Sequence, residues 1–493
     1  MLRISNRLAV LFNKDRYVIV FCKKYFGLLV ALSFFVIILS TVHFEKAFEF
    51  NTDEGLYLMR ALLHSKGEIL YKQIWMDQPP VLVLMLSFLF KLFGPSVYIA
   101  RLLILFFSSF LLWALYQVIS KKQDGLSALF AVILLIFSSS YLISSVSITG
   151  SIAPITLAVL AIYMVLLYQE SYKIKYLLIS GGFFALALLT KFLALIFLPA
   201  LLFEIAIALM ARVKKDSLTL SFIYAYLWWF TAFMTVFLLI AFMVTPVDFH
   251  QIWNPFILGR NLYFPTTIKD LLCLSEDYDY LLLAICSLIL ISPQEIKRIA
   301  IPFITLIIGV IFFCNQSPVW LSQRFYLVVP LCWIASFSLY HLRSQRLKPF
   351  IDIVIMLALL CWSIYQLPIK YFKIQDQLMF DSHQPTKLTE LVSSYRKEVH
   401  LMVTDLPIFA FYTDMPVDSH LLVISEKTLA TKIITADDFL RVINSRHPEL
   451  VLLARFPNLK SQIVPHLQKD YSVGYSDDTG ARLYVLKGIK KQV

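Results

Sequence analysis

Apolar runs approaching the roughly 20 residues needed to cross a bilayer recur from about Tyr25 to Leu367, with short basic clusters between them. Within hydrocarbon, backbone N–H and C=O groups have no water to bond, so such runs are stable only as helices. The chain is therefore expected to fold as a bundle of helices whose ends mark two membrane surfaces. Composition agrees, since 59% of the 493 residues are apolar and 15% are charged. A soluble domain carries roughly 25% charged residues. From about Phe372 the pattern changes to that of an ordinary α/β domain. Two units are expected, a membrane module over 1–370 and a C-terminal domain over 371–493.

The net charge of +12 does not indicate nucleic-acid binding, because the basic residues sit in loops between apolar runs, as the positive-inside rule expects of cytoplasmic segments. The six cysteines, Cys22, Cys273, Cys286, Cys314, Cys332 and Cys361, have no paired spacing. Neither a disulfide framework nor a zinc site follows. A basic stretch from Arg3 to Lys24 precedes the first run, as in a signal peptide, but no small-residue cleavage site follows. An uncleaved first span is expected.

Placing the basic clusters on the inner side fixes the threading. The first helix, about 25–43, leads outward, and the run Val81 to Phe93 is too short to return. Were it to cross, Lys121-Lys122 and every later cluster would lie outside. It is expected instead as a re-entrant or juxtamembrane helix in a first outer loop, 43–98. Spans follow at about 98–119, 126–145, 151–168, 176–189, 192–210 and 218–244, then a polar loop over 245–278 and four more spans, the last at about 350–367. About 11 transmembrane helices, with the N-terminus inside and the tail outside, put Lys173 and Lys175, Arg212, Lys214-Lys215, Lys297-Arg298, Arg343, Arg346 and Lys348 all inside. In the tail, strands are expected at 399–403, 450–453 and 481–486, and helices from Ala436-Asp437-Asp438 to about Asn444 and over 461–469.

This threading gathers chemistry at one depth. Asp53 and Glu54 lie just beyond the first span, the Thr190-Lys191 turn joins two spans, and Gln323-Arg324 opens another. Adjacent carboxylates at a membrane boundary are functional candidates, and as neighbours Asp53 and Glu54 should point apart and differ in role. The pair could act as general base or as metal ligands, a divalent cation being the one cofactor to consider, or could be an incidental acidic patch. Lys191 and Arg324 could face an anion, as could Arg101 in Tyr-Ile-Ala-Arg-Leu-Leu. Arg60 and Lys72 read equally as headgroup contacts, and Tyr57, His64 and His250 as structural residues. Glycoside hydrolysis typically uses two separated carboxyl groups, one to protonate the leaving alcohol. A phosphate leaving group needs cations and one base for the incoming hydroxyl or amine. One acidic pair facing lysine and arginine suits group transfer from a membrane-embedded phosphate.

These residues resemble the polyprenyl-phosphate-dependent glycosyltransferases of the GT-C superfamily, closest to the bacterial branch of the protein O-mannosyltransferase family and the related lipid A aminoarabinose transferases. The likeness runs through Asp53-Glu54-Gly-Leu-Tyr57, Gly67 to Tyr71, Gln78-Pro79-Pro80, Leu92-Phe93-Gly94 and Arg101-Leu102. It continues at Leu188-Leu189-Thr190-Lys191, at Arg324-Phe325-Tyr326-Leu327 with Pro330, and at Val403-Thr404-Asp405-Leu-Pro407. The resemblance implies an inverting sugar transfer with Asp53 as base and Glu54 as a site-shaping or metal-associated acid. It places Lys191, Arg324 and Arg101 on the lipid phosphate, with Tyr57, Arg60, Lys72 and Gln78 as further substrate contacts. It also implies a polyprenyl-phosphate sugar donor, a protein, lipid A or glycan acceptor, and a bacterial inner membrane. Gln78 stands where many relatives have histidine, and Ser151-Ile152-Ala153-Pro154 lacks the acidic residue many carry, which leaves metal use and acceptor type open. A lipid or glycan transporter and a non-catalytic assembly or sensor protein are the competing classes.

Overall fold

The computed structural model describes residues 25–490 apart from 43, 45–46, 213–217, 245–247, 249, 255–276, 290, 294, 317–318, 344–349, 379–382, 423 and 479. The N-terminal basic stretch, Cys22, Cys273, Lys214-Lys215, Arg346, Lys348 and most of the expected 245–278 loop lie outside the described residues.

Helix α1 (Tyr25–Thr41) leads into an irregular loop and then the short helices α2 (Glu54–Ser65) and α3 (Val81–Phe93). Long helices follow: α4 (Val97–Lys122), the pair α5 (Gly125–Ile136) and α6 (Ser139–Val146), α7 (Ile152–Ser171) and α8 (Ile174–Thr190). A 3-10 turn over Phe192–Phe197 opens α9 (Leu198–Arg212), then come α10 (Leu218–Met243), α11 (Tyr278–Ile289), α12 (Ile296–Cys314), α13 (Leu321–Arg343) and α14 (Phe350–Leu378). Among the described residues five helices are long and apolar enough to cross a membrane, or six if the bent pair α5–α6 is one span. That pair turns by 72°, and Asp124 and Ser138 cap its two halves by accepting backbone N–H bonds. The single helix expected over 126–145 is thus two, because Ser138 offers the backbone a cap in mid-run.

Polar side chains tie the bundle at both ends of α4. In its last turn Lys122 meets buried Glu204 of α9 at 2.6 Å, and Gln169 of α7 donates to the same carboxylate at 2.8 Å. Elsewhere, Lys370 of α14 reaches Asp279 of α11 at 2.6 Å and Asp277 at 3.3 Å, and Ser138 donates to Asp277 at 2.8 Å. All of these carboxylates are buried, so each is held only because a cation or hydroxyl answers it.

The C-terminal part contains α15 (His383–Ser393), β1 (Met402–Thr404), α16 (Pro407–Thr413), α17 (Glu426–Ala430), α18 (Ala436–Arg446), β2 (Leu450–Leu453), α19 (Pro457–Leu467), β3 (Tyr471–Ser476) and β4 (Arg482–Leu486). The sheet order is β1-β2-β4-β3, with β1 parallel to β2 and the other pairs antiparallel. Thr435, one residue ahead of the expected cap, closes a capping box with Asp438 at the start of α18. Strand residues alternate between two cores. Val403, Val451 and Leu453 pack with Phe439 and Ile463, whereas Met402, Leu450 and Leu452 join a core that runs through Ile408 and Phe409 of α16 into the helical bundle. The tail is therefore docked on the bundle and shares its core.

Candidate active site

Glu54 and Arg101 form the frame. Glu54 opens α2 with a side chain wholly out of contact with solvent, and Arg101 in the second turn of α4 is equally buried. Their pairing is two-pronged, Nη2 to Oε2 at 2.6 Å and Nε to Oε1 at 3.2 Å. Each carboxylate oxygen takes one more bond, from the N–H of Phe50 and of Ile148, both at 3.0 Å. The guanidinium also donates to the carbonyls of Phe44 (2.6 Å) and Ala47 (2.8 Å) and lies over the Phe50 ring. A buried charge pair survives when its remaining donors and acceptors are satisfied, and this one is. Arg101 thus differs from its expected place on a lipid phosphate: its donors are spent on Glu54 and the carbonyls of Phe44, Ala47 and Phe48, and an external anion has no access. Glu54 is correspondingly spent on Arg101 and on the backbone of Phe50 and Ile148. With both oxygens occupied it is poorly suited to share a metal with Asp53, and no cluster of three or more metal-ligating side chains occurs among the described residues.

Asp53, one residue earlier, is treated in the opposite way. It occupies the cap position of α2 but its side chain does not cap the helix. Half-buried, it lies within electrostatic reach of Lys191, Asp77, Arg455 and Arg60. Burial pushes its carboxyl above the ordinary aspartate value, and Lys191 pulls it back. Lys191 holds an extended conformation between α8 and the 3-10 turn, where helix hydrogen bonding stops. It is buried, with its ammonium 3.5 Å from the Thr149 carbonyl. Burial lowers its affinity for a proton, while Asp53 and Asp77 raise it. Arg60, one face along α2, donates to Asp77 at 2.8 Å. Tyr57 lies under the Ser147–Ser151 loop, where Gly150 has a positive φ of 65° and a side chain would strike the tyrosine hydroxyl.

The remaining candidates are less central. Arg324 is half-buried in the first turns of α13, two residues before Tyr326, a fully buried side chain within electrostatic reach of Tyr57. Gln78 accepts the Tyr71 hydroxyl bond through its backbone carbonyl at 2.8 Å. Lys72 is exposed in the turn between Tyr71 and Ile74.

Three charged residues around Asp53 were not singled out by the sequence. Asp77 stands directly before the quoted Gln78-Pro79-Pro80, so an acidic residue at a helix entry was the available signal. Glu49 is half-buried in the loop below Asp53, its carboxyl raised to about 8 by burial and by Glu54, with Arg455 opposing. Arg455 comes from the C-terminal sheet and carried no local signal.

Residues 77–244 match the model of the dolichyl-phosphate-mannose-protein mannosyltransferase family. No curated protein matches the chain by sequence. Among solved structures, ArnT from Cupriavidus metallidurans bound to undecaprenyl phosphate superposes with a TM-score of 0.62 at 12% identity, covering 95% of this chain and 99% of that one. The same protein in the apo state gives 0.61 at 13% identity, over 96% and 98% of the two chains. The chain shares the fold of ArnT. The apo Archaeoglobus fulgidus oligosaccharyltransferase shares it, with a TM-score of 0.56 at 11% identity over 95% of this chain and 75% of that one. In all three comparisons the match extends over nearly the whole of this chain.

Proposed function

We propose that this protein is an inverting glycosyltransferase that moves a sugar from a polyprenyl-phosphate donor to an acceptor outside the cytoplasm, with Asp53 as base. One observation carries this above others: of two adjacent carboxylates, Glu54 is fully bonded into the frame, while Asp53 is left uncapping, half-buried and opposite Lys191. The family match and the undecaprenyl phosphate bound by ArnT support a lipid-phosphate donor.

In the proposed reaction Asp53 takes the proton of an acceptor hydroxyl or amine as that group attacks the anomeric carbon. The bond from that carbon to the phosphate oxygen breaks on the opposite face, so configuration inverts. The electron pair leaves with the lipid phosphate, whose added negative charge is met by Lys191 and Arg324. A partly desolvated carboxylate with a raised pKa is a stronger base than one in water. Tyr57 and the Arg60–Asp77 pair line the acceptor side. No step requires a metal.

We assign the eleven-span threading to this activity, with α2 and α3 as juxtamembrane helices and the active face outside a bacterial inner membrane. The 72° break between α5 and α6 is a feature that suits a lipid or glycan transporter instead, since transporters use discontinuous helices. Membranes holding wild type or Asp53→Asn, supplied with labelled polyprenyl-phosphate hexose or pentose and native envelope acceptors, separate these readings. Transfer by wild type alone supports the enzyme. Equal transfer by both removes Asp53 as base, and transbilayer movement of the donor without transfer supports the transporter.

A further inference from the structure

The C-terminal sheet adds one cation, Arg455, to the charged groups that the helical bundle sets around Asp53. β1 and β2 are parallel neighbours, and the loops leaving their carboxyl ends both face the 47–55 segment. In open α/β sheets this edge is the usual place for a functional site. From the β1 end comes α16, which lies against α2 so closely that a side chain at Gly55 would strike the backbone nitrogen of Ile408. Tyr412 of α16 donates to the Phe48 carbonyl at 3.0 Å and stacks on the Phe48 ring. From the β2 end comes Arg455. Its Nη2 donates to the hydroxyl of Thr52, the residue next to Asp53, at 3.1 Å.

The loop carrying Arg455 is built rather than incidental. Asp405, at the end of β1, is buried and accepts three consecutive backbone N–H bonds, from Ala454 (2.7 Å), Arg455 (2.8 Å) and Phe456 (3.0 Å). A carboxylate that gathers three adjacent N–H groups fixes the path of that backbone. The guanidinium is further steadied by lying 5.1 Å from the Phe456 ring centroid.

We propose that the C-terminal part of the chain completes the active site, with Arg455 acting through Asp53 as a fixed neighbouring cation and Asp405 as the residue that positions it. The proposal rests on the reading of Asp53 as base only for its effect on rate; the charge relation itself stands apart from it. The groups facing Asp53 are Lys191 from the α8 junction, Arg60 and Tyr57 from α2, Asp77 from the approach to α3, Glu49 from the preceding loop and Arg455 from the tail. Removing one cation from this set stabilises the protonated carboxyl, so the midpoint rises.

The test is an infrared pH titration of the full chain in lipid nanodiscs, following the carboxylic-acid band that Asp53→Asn removes. Arg455→Gln leaves the Asp405 bonds to the backbone intact, so the loop remains in place. Its Asp53 midpoint should move up by roughly half a unit or more, and Arg455→Lys should stay near wild type. Where sugar transfer is measured, the acid limb of kcat/KM should move by the same amount. An unchanged or lowered midpoint in Arg455→Gln overturns the proposal, as does an Arg455→Lys shift equal to that of Arg455→Gln. A shifted midpoint in a protein that transfers no sugar sustains this inference and sinks the glycosyltransferase reading. Transfer with an unshifted midpoint does the reverse.

Discussion

The surroundings of Glu54 and of Asp53 differ as sharply as two sites in one protein can, although the residues adjoin. Glu54 has four hydrogen bonds, no solvent contact and a bidentate arginine. Asp53 has cations within electrostatic range and a carboxylate that caps nothing. The first arrangement favours one conformation. The second leaves a carboxyl whose proton affinity burial raises and Lys191 opposes. Saturating one acid fixes the backbone on which its neighbour is held unsaturated.

The comparison is broken most decisively by exchanging the acids' fates. Asp53→Asn, isosteric and uncharged, should lower kcat for sugar transfer about 10²–10⁴-fold, the usual contribution of a general base, with the donor Kd little changed. A loss confined to donor affinity would mean that Asp53 binds rather than reacts. Arg101→Ala should act on folding instead: leaving Glu54 buried without its partner costs about 3–5 kcal/mol, read as lost thermal stability in detergent. If Arg101→Ala folds normally and only donor binding falls, the expectation of a phosphate ligand is restored.

A smaller effect carries the opposite sign. Because burial raises the Asp53 pKa above its unfolded value, its contribution to stability is fully present below the unfolded pKa and is lost as pH rises through the folded one. At neutral pH Asp53→Asn should therefore be at least as thermostable as wild type while inactive, whereas at low pH the two should converge. In the active wild type, kcat/KM should fall as pH drops through that raised pKa, because the base is then protonated. The smallest change belongs to Lys72→Ser, an exposed position expected to stay within about 0.5 kcal/mol of wild type and to retain transfer. A large loss there would extend the site to the Tyr71 turn.

Much of the helical pattern was legible because bilayer thickness sets run length. Val81 to Phe93 read as too short to cross and is a separate helix with those ends, and the 450–453 strand coincides with β2. β3 was missed although Tyr471, Val473 and Tyr475 alternate with small residues, because the segment is mostly exposed, bears a bulge after Val473 and carries a glycine in mid-strand. The site was half legible. Asp53 and Lys191 could be brought together by counting membrane crossings, since depth is a one-dimensional quantity that composition encodes. Which cation faces which acid is lateral information. Nothing near Arg101 distinguishes an arginine that grips Glu54, 47 residues back, from one awaiting phosphate. Arg455 depends on a sheet edge formed by strands some 50 residues apart, as its anchor Asp405 does.

The contact between Gly55 and Ile408 has a bearing on how the protein is made. Helix α2 leaves the ribosome well before the surface against which its backbone rests, which is translated some 350 residues later. Until then the segment bearing Asp53 stands without that support. A chain halted before the C-terminal sheet would insert its helices and still lack the wall behind its acid. Maturation of the site is thus tied to synthesis of the C-terminal sheet rather than to insertion of the helices.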